Sequence, residues 1–368
     1  MIPARQLWPV VWKAGVCVLL LAWVFQSIFM LEGHRAWSTT GQDWETLSFL
    51  EKTRQAWTAG PPELWGSIRE LQPTGACWSV VFMGMTIILG VLRWRLVLGV
   101  QGLRLSLGRA TEISLVAHFF NSFLLGSTGG DLMKAYYAAR ETRQLKAEAV
   151  MTVVADRLIG LLSMLLFAAV MMLPNLGLLA RHRRLWMLSM LVLGMLVGGL
   201  TLAAVSFRGG LSRRWPAART WLRRLPKGES MERALNATRR FGREPGFFVR
   251  TLGLSMALNV CCVLQYWALA VGLGLTIAPV TLFLLVPMII CVSALPITPS
   301  GLGLRENLYV WSLAVPEIGV PATKALSLSL LAYAGSLVWS VVGGVVYVLF
   351  RNRHHLNAAA VEESGDPS

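Results

Sequence analysis

The sequence predicts an all-α polytopic transmembrane helix bundle, with about six full spans and two re-entrant segments of opposite orientation. Of the 368 residues, 55% are hydrophobic and only 14% are charged, whereas roughly 25% are charged in a typical soluble domain. A bilayer accommodates such a chain as helices, because each helix pairs its own backbone polar groups. The apolar residues also form runs long enough to cross a hydrocarbon core of about 30 Å.

Six apolar runs have the length of a full span at about 1.5 Å of rise per residue. The first is interpreted as an uncleaved helix, because no small-residue cleavage site follows it. The second ends in Arg93-Trp94-Arg95, which is typical of an aromatic anchor at the cytoplasmic boundary. The six predicted spans are 9–31, 75–99, 149–173, 185–205, 250–273 and 322–350.

The polar stretch 32–74 follows the first predicted span. Its Trp and Leu residues recur near helical spacing. This pattern fits an amphipathic helix on the outer surface of the bilayer. It fits equally well a solvated loop with a few aromatic anchors.

The net charge of +15 is concentrated between the apolar runs. Residues 206–249 contain eleven basic and three acidic residues, which marks a cytoplasmic loop. No zinc-ligand spacing or RNA-binding aromatic signature accompanies this charge, so we expect no nucleic-acid partner. The charge favours anionic lipid at the cytoplasmic face. We expect a multi-pass protein of the cell membrane with both termini cytoplasmic, a single domain over 1–352 and a disordered tail over 353–368.

Charge parity identifies two short apolar segments that do not cross the bilayer. If residues 111–130 crossed, the basic loop 206–249 would lie outside, against the positive-inside rule. Without that crossing the shorter basic run 181–184 lies outside, which argues the other way, but the loop 206–249 carries more charge. By the same count, residues 279–304 enter and leave on the outer side. Irregular backbone inside a bilayer persists only within protein or beside water. The broken helices of transporters, which meet at a substrate site, have this property.

Charged residues in or beside these segments require partners, since a central Asp or Arg costs about 2.5–3.5 kcal/mol. Asp156 and Arg157 point about 100° apart on a helix, and they either pin the bundle or line a site. Asp131 caps a helix that begins at the next residue, lines the site, or does both. Arg305 and Glu306 form an interfacial ion pair or contact cargo.

Two ordered motifs resemble the transmembrane region of the lysylphosphatidylglycerol synthase/flippase family. The resemblance covers roughly residues 10–350 and implies an all-helical fold that moves lipids or lipid-linked groups between leaflets. The first motif departs from the family's usual Pro-Gly-Arg turn and lacks its basic residue. The motifs are Asn121-Ser122-Phe123-Leu124-Leu125 through Gly129-Gly130-Asp131 to Asp156-Arg157-x-x-Gly160, and Pro296 through Ser300-Gly301-Leu302-Gly303-Leu304-Arg305-Glu306.

The resulting expectation is a flippase-like transporter for membrane phospholipid or polyprenyl-linked lipid, with a partner synthase as a further candidate. Arg157 and Arg305 would bind a lipid phosphate, while Asp131 and Glu306 would orient them or meet a cationic headgroup. No catalytic or metal-ligand motif is present, so we expect no enzyme activity, cofactor or metal. The candidate substrate-binding residues are Asn121, Ser127, Gly129, Gly130, Asp131, Asp156, Arg157, Ser300, Gly301, Gly303, Arg305 and Glu306.

Two other functions compete with transport. A membrane-embedded enzyme, or an accessory subunit of envelope lipid or glycan synthesis, would need an acid/base pair such as Asp131 with Asp156. A receptor-like or purely structural bundle fits least well, because it gives no reason for charges at interrupted helices.

Overall fold

Helices account for the regular structure of the described chain. The computed structural model describes residues 44–123, 127–141, 146–207, 246–295 and 301–363, together with residue 244 and single residues between 22 and 37. These ranges contain no β-strand. The predicted all-α membrane architecture is confirmed.

Five helical stretches in the described residues are long and apolar enough to cross a membrane. They correspond to the last five predicted spans, whereas most of the first, 9–31, lies outside the described residues. The boundaries agree because the transfer of apolar residues into lipid is a local property of each run. The five stretches are Pro73–Val100, Glu148–Arg181, Arg183–Thr201, Phe247–Gly272 and Ala322–Leu349.

The α-helices are numbered here in chain order. A short 3₁₀ turn at Leu173–Asn175 joins the fifth to the sixth. The last helix is described to Glu363, so the chain is helical across most of the segment 353–368 that the sequence suggested as a tail. The helices are α1 Phe49–Arg69, α2 Pro73–Val100, α3 Leu107–Phe123, α4 Ser127–Glu141, α5 Lys146–Met172, α6 Leu176–Arg181, α7 Arg183–Phe207, α8 Phe247–Gly272, α9 Pro279–Ser293, α10 Leu304–Leu313 and α11 Ala322–Glu363.

Each of the two segments that charge parity excludes from crossing, 111–130 and 279–304, contains one short helix and is followed by a second short helix that begins at or near its end. Helix α3 packs against α4, and α9 packs against α10. None of these four helices belongs to the five long crossing stretches. The opposite orientation of the two pairs stays a prediction from charge.

The glycine-rich interruption of the first segment is helical rather than an open turn. Helix α4 begins at Ser127, so Gly129 and Gly130 lie in its first turn. Glycine is a poor helix former, which is why the sequence suggests a break here. Packing overrides that preference, because a Cβ at Gly130 would overlap the carbonyl oxygen of Ala117 on α3.

The chain divides into two compact units, each assembled from three stretches of sequence. Each of the five long helices contributes residues to both units, and each unit contains one pair of short helices. The Glu306 unit consists of Met1–Thr86, Leu161–Leu200 and Met256–Gly335, and the Asp156 unit consists of Ile87–Gly160, Thr201–Ser255 and Ser336–Ser368.

Each unit has its own buried apolar cluster. In the Glu306 unit the cluster includes the fully buried Leu284 and Leu285 of α9. In the Asp156 unit it surrounds Trp94 and Ile113, which are also fully buried. Burial of each such side chain contributes about 1.5–3 kcal/mol.

Helix α3 is fixed against α11 inside the Asp156 unit. A side chain at Gly343 would overlap the carbonyl oxygen of Leu115, so the two helices lie in close contact. His118 Nε2 lies 3.1 Å from the carbonyl oxygen of Ser336. The same Nε2 lies 3.3 Å from Ser336 Oγ. His118 is therefore a packed, hydrogen-bonded residue in this interface.

Candidate functional site

Asp156 holds two cations in the interior of the Asp156 unit. This residue of α5 is only 7% exposed. Its Oδ1 accepts a hydrogen bond of 2.8 Å from Arg93 Nε, and its Oδ2 lies 3.4 Å from Lys134 Nζ. Arg93 belongs to α2 and Lys134 to α4, so one carboxylate links three helices. A buried charge of this kind requires such partners, because an unpaired one costs several kcal/mol.

The Arg93 guanidinium is positioned by two further groups. Its Nη1 donates a hydrogen bond of 3.1 Å to Ser255 Oγ on α8. Gly160 lies one helical turn after Asp156, and a Cβ there would come within 2.9 Å of Arg93 Nη2. Residues four apart share one face of a helix. Helix α5 therefore presents a carboxylate and an open backbone surface to the same arginine.

Lys134 lies beside a carboxylate and an aromatic ring. Its Nζ is 4.2 Å from the centroid of the Trp94 ring, which is a cation–π contact. Trp94 is fully buried, and its Nε1 donates a 3.3 Å hydrogen bond to Thr152 Oγ1. The 3.4 Å separation between Lys134 and Asp156 is longer than a charge-assisted hydrogen bond, which usually measures about 2.7–2.9 Å. Lys134 is thus held more loosely than Arg93.

Asp131 and Arg157 form the exposed edge of the same group of charges. Arg157 Nε donates to Asp131 Oδ2, and the two side chains are 48% and 30% exposed, respectively. Asp131 is the fifth residue of α4, which begins at Ser127. The alternative that Asp131 caps a helix starting after it is therefore wrong. Two ion pairs, Asp131–Arg157 and Lys134–Asp156, join α4 to α5.

We call these five charged side chains the Asp156 cluster. Three are cationic and two are carboxylates. Exposure rises from its interior to Arg157 at its edge. Arginine and lysine together suit a phosphate oxyanion, the former through its planar fork and the latter as a point charge. The members are Arg93, Asp131, Lys134, Asp156 and Arg157.

Asn121 completes the contact between α3 and α4. Its Oδ1 accepts a 2.9 Å hydrogen bond from the backbone N–H of Gly130. The first N–H groups of a helix lack partners within the helix, and Asn121 supplies an acceptor for one of these groups. This backbone donor is already paired, while Gly129 beside it is buried. The side chain of Ser127 lies outside the described residues.

Glu306 organises a second group of polar side chains, in the Glu306 unit. It is fully buried. Its Oε2 accepts a 2.6 Å bond from the N–H of Gly303, and its Oε1 accepts a 2.6 Å bond from Arg305 Nη2. Arg305 Nε also donates to Ser329 Oγ at 3.2 Å, and its guanidinium lies 5.0 Å from the Tyr333 ring centroid. We call Arg305, Glu306, Ser329 and Tyr333 the Glu306 cluster, in which one cation matches one carboxylate.

The glycines before α10 are required by the turn itself. Gly301 and Gly303 have φ angles of 71° and 83°, in the left-handed region that favours glycine. A Cβ at Gly301 would also lie 2.9 Å from the carbonyl oxygen of Ser293. Their conformations thus explain the glycines without a ligand. Ser300 lies outside the described residues.

Sequence reasoning missed three members of this site. It interpreted Arg93 and Trp94 as an anchor at the membrane boundary and Lys134 as part of a cytoplasmic loop. Arg93 is only 8% exposed and Trp94 is fully buried. The available signal was Asp156, because a carboxylate within a span requires a cation and Arg93 is a cation in another predicted span.

The described residues contain no group of three or more His, Cys, Asp or Glu side chains that could hold a metal ion. Asp131 and Asp156 each face a cation rather than one another.

Comparison with known proteins shows that one family model matches most of the chain. The family described as "Lysylphosphatidylglycerol synthase TM region" matches residues 53–344, a range that contains both clusters. The chain is also 24% identical, over 319 residues, to a UPF0104 membrane protein of Methanothermobacter thermautotrophicus, with 78% of this chain and 88% of that protein covered. The resemblance suggested by the two motifs is confirmed, and the protein belongs to the lysylphosphatidylglycerol synthase TM region family.

Proposed function

We propose that this multi-pass membrane protein moves a phospholipid or a polyprenyl-linked lipid between leaflets, and that the Asp156 cluster binds the phosphate of the headgroup. The observation that carries the proposal is the gathering of three cationic side chains in this cluster, with Arg157 half exposed at its edge. Family membership supports a membrane role related to lipid. The cationic side chains supply the matching chemistry for a phosphodiester or pyrophosphate.

Binding proceeds by exchange of partners in this proposal. The lipid phosphate replaces Asp131 beside Arg157, because this ion pair is the most exposed of the cluster. The ammonium group of Lys134 then moves from Asp156 towards the phosphate. This movement is favoured because its 3.4 Å contact with Asp156 is long. Arg93 stays on Asp156, because breaking a buried pair costs about 3–5 kcal/mol.

The Glu306 cluster is assigned a structural role in this proposal, which revises the expectation for Arg305. The Arg305 side chain is only 12% exposed. It already donates to Glu306 and Ser329, and Glu306 neutralises its charge. We therefore propose that this cluster holds the start of α10 in place and that phosphate binds elsewhere.

Lipid movement can be measured in proteoliposomes containing NBD-labelled phosphatidylglycerol or phosphatidylethanolamine. Dithionite quenches only the outer leaflet, so a quenched fraction above that of protein-free vesicles reports movement. We expect the wild-type protein to raise this fraction. Absence of movement of either lipid by monodisperse protein would contradict the proposed function for these cargoes.

The site assignment is tested in the same vesicles. Arg157→Ala and Lys134→Ala should lose most of the movement, because each removes a cation offered to phosphate. Arg140→Ala is the matched control, since Arg140 is an exposed cation on the same helix as Lys134. Unchanged movement in both cluster variants would overturn the assignment to the Asp156 cluster.

We also propose that the protein lies in the cell membrane with both termini cytoplasmic. The support is the basic composition of residues 206–249 under the positive-inside rule. In a chain whose five native cysteines are replaced, a cysteine introduced by Arg140→Cys should react with an impermeant maleimide only after the cells are opened. Reaction in intact cells would overturn this topology.

A further inference from the structure

Helix α1 has one side that is packed against the protein. The helix begins after Ser48, whose N–H donates a 2.9 Å bond to Glu51 Oε2. Ala56, Gly60 and Ser67 are buried along one line of the helix. Gly60 is required there, because a Cβ would overlap the ring of Phe29.

A second side of α1 is apolar and only partly covered, because Trp57 packs edge-on against Phe29, with ring centroids 5.1 Å apart, and its Nε1 donates a 2.6 Å hydrogen bond to Gln26 Oε1. Phe49 and Leu50 are 73% and 81% exposed, and Trp57 and Trp65 are 48% and 56% exposed. At about 100° per residue, Leu50, Trp57 and Trp65 fall within one sector of roughly 80° beside the packed line, whereas Phe49, the first residue of the helix, lies on the packed line itself. A solvated surface rarely exposes so many large apolar groups together.

The third side of α1 is polar. Glu51, Thr58 and Glu63 are exposed on it. Arg54 and Arg69 lie where the polar and apolar sides meet, and the Arg69 guanidinium is 5.2 Å from the Trp65 ring centroid. A packed side, an apolar side and a polar side match a helix that meets protein, hydrocarbon and water at once.

The position of α1 is set by the start of the long apolar helix α2. Only residues 70–72 separate the two helices. The Gln72 N–H donates a 2.9 Å bond to the carbonyl oxygen of Gly272, and Gly75 packs directly on Gly272. Trp78 and Met85 of α2 are exposed, so the apolar surface of a crossing stretch continues onto α1.

We propose that α1 lies within the headgroup region of the bilayer, at the surface where α2 begins. The apolar side inserts at the level of the acyl carbonyls, where Trp is typically found. Arg54 and Arg69 lie at the level of the lipid phosphates and attract anionic lipid. The partner of this surface is therefore the lipid itself. Of the two interpretations of residues 32–74, this proposal adopts the amphipathic helix on the bilayer surface rather than the solvated loop. The inference does not depend on lipid transport.

The test measures the depth of single labels on α1. Leu50→Cys, Trp65→Cys and Glu63→Cys are made separately in a chain whose five native cysteines are replaced, and each is labelled with NBD. Glu63→Cys is the matched control on the polar side of the same helix. The labelled full-length proteins are placed in phosphatidylcholine vesicles with or without phosphatidylglycerol, after gel filtration confirms monodispersity.

We expect labels at positions 50 and 65 to be quenched several-fold more by headgroup-proximal nitroxide lipids than the label at position 63. Aqueous iodide should give the reverse order. Arg54→Gln with Arg69→Gln should reduce any blue shift gained on adding phosphatidylglycerol.

Three results would overturn the inference. Equal iodide quenching at positions 50 and 63 would mean that α1 is solvated on all uncovered sides. Stronger quenching by nitroxides at the end of the acyl chain would place α1 too deep. Energy transfer between labels that rises with the protein-to-lipid ratio would mean that a second copy covers the apolar side.

Discussion

The Asp156 and Glu306 clusters both pair arginine with a carboxylate, but they differ in origin and charge. In the Glu306 cluster the pair comes from adjacent residues, is charge-matched, and also binds the backbone of Gly303. In the Asp156 cluster three cations and two carboxylates come from α2, α4 and α5. A local pair of neighbours fixes a turn, whereas a cluster spread over several helices joins those helices and, in the function proposed above, also binds phosphate.

The largest expected effect is the loss of stability in Asp156→Ala. This change leaves Arg93 and Lys134 without their shared carboxylate, which costs about 3–5 kcal/mol for a buried pair. Thermal unfolding in detergent can be followed with a thiol-reactive dye, since Cys261 and Cys291 are buried. Glu148→Ala on the same helix is the control. An unfolding temperature equal to the control's would contradict a central role for Asp156.

Glu306→Gln separates the two clusters. The amide keeps the shape and the acceptor for Gly303 but removes a charged acceptor from Arg305, at a cost of about 1.5–3 kcal/mol. We expect a lower unfolding temperature with no change in phosphate binding. Binding is read as the concentration of short-chain phosphatidylglycerol that gives half of the thermal stabilisation. A weakened response in Glu306→Gln would mean that the Glu306 cluster also binds headgroup.

Gly160→Ala tests the seat of Arg93. The added Cβ would lie 2.9 Å from Arg93 Nη2, so the guanidinium must move at a cost of about 1–3 kcal/mol. Gly194→Ala is the matched control, because nothing lies within 4 Å of a Cβ there. The control should be neutral or gain up to about 1 kcal/mol of helix propensity. Equal stability changes in the two variants would show that Gly160 does not position Arg93.

Asp131→Asn sharpens the charge argument in the opposite direction. It removes the carboxylate beside Arg157 and leaves the Asp156 cluster more positive. An exposed ion pair contributes about 0.2–1 kcal/mol, so phosphatidylglycerol should bind up to about fivefold more tightly. Glu148→Gln controls for the loss of a carboxylate nearby in sequence. Weaker binding in Asp131→Asn would mean that Asp131 itself contacts the headgroup.

The smallest effect concerns Glu317, a carboxylate of the Glu306 unit outside the crossing stretches. Its own backbone N–H and then the side chain of His182 hold the pKa of Glu317 below its usual value. Because the folded pKa is the lower one, this stabilisation is present above the unfolded value of about 4.3 and is lost as the pH falls through the folded pKa. The unfolding temperature should drop slightly below about pH 4.3, and the drop should shrink in Glu317→Gln. An identical acid response in wild type and variant would show no coupling at Glu317.

The sequence predicts the spans well and the site only in part, for a physical reason. Each span is recognised from its own residues, and so is the pair of neighbours Arg305 and Glu306. The partners of Asp156 lie 63 and 22 residues away along the chain, at positions set by helix packing. Arg93 near the end of α2 therefore looks like a boundary residue until α5 is placed beside it.

The start of α4 shows the same limit at closer range. The local sequence around Gly130 favours a break, which made Asp131 look like a capping residue. Close contact with Ala117 and the bond from Gly130 to Asn121 extend the helix by a full turn. Both contacts are tertiary, so no window of local sequence contains the whole signal.

The close contact between Gly160 and the guanidinium of Arg93 also has a consequence for evolution. The glycine costs helix stability, and the arginine returns that cost only while its guanidinium lies against α5. A lineage that loses the arginine at position 93 has no further need of a glycine at position 160, whereas a larger residue at 160 would displace the guanidinium of Arg93. Across the relatives of this chain, the residues at positions 93 and 160 should therefore change together, with the loss of the glycine depending on the loss of the arginine.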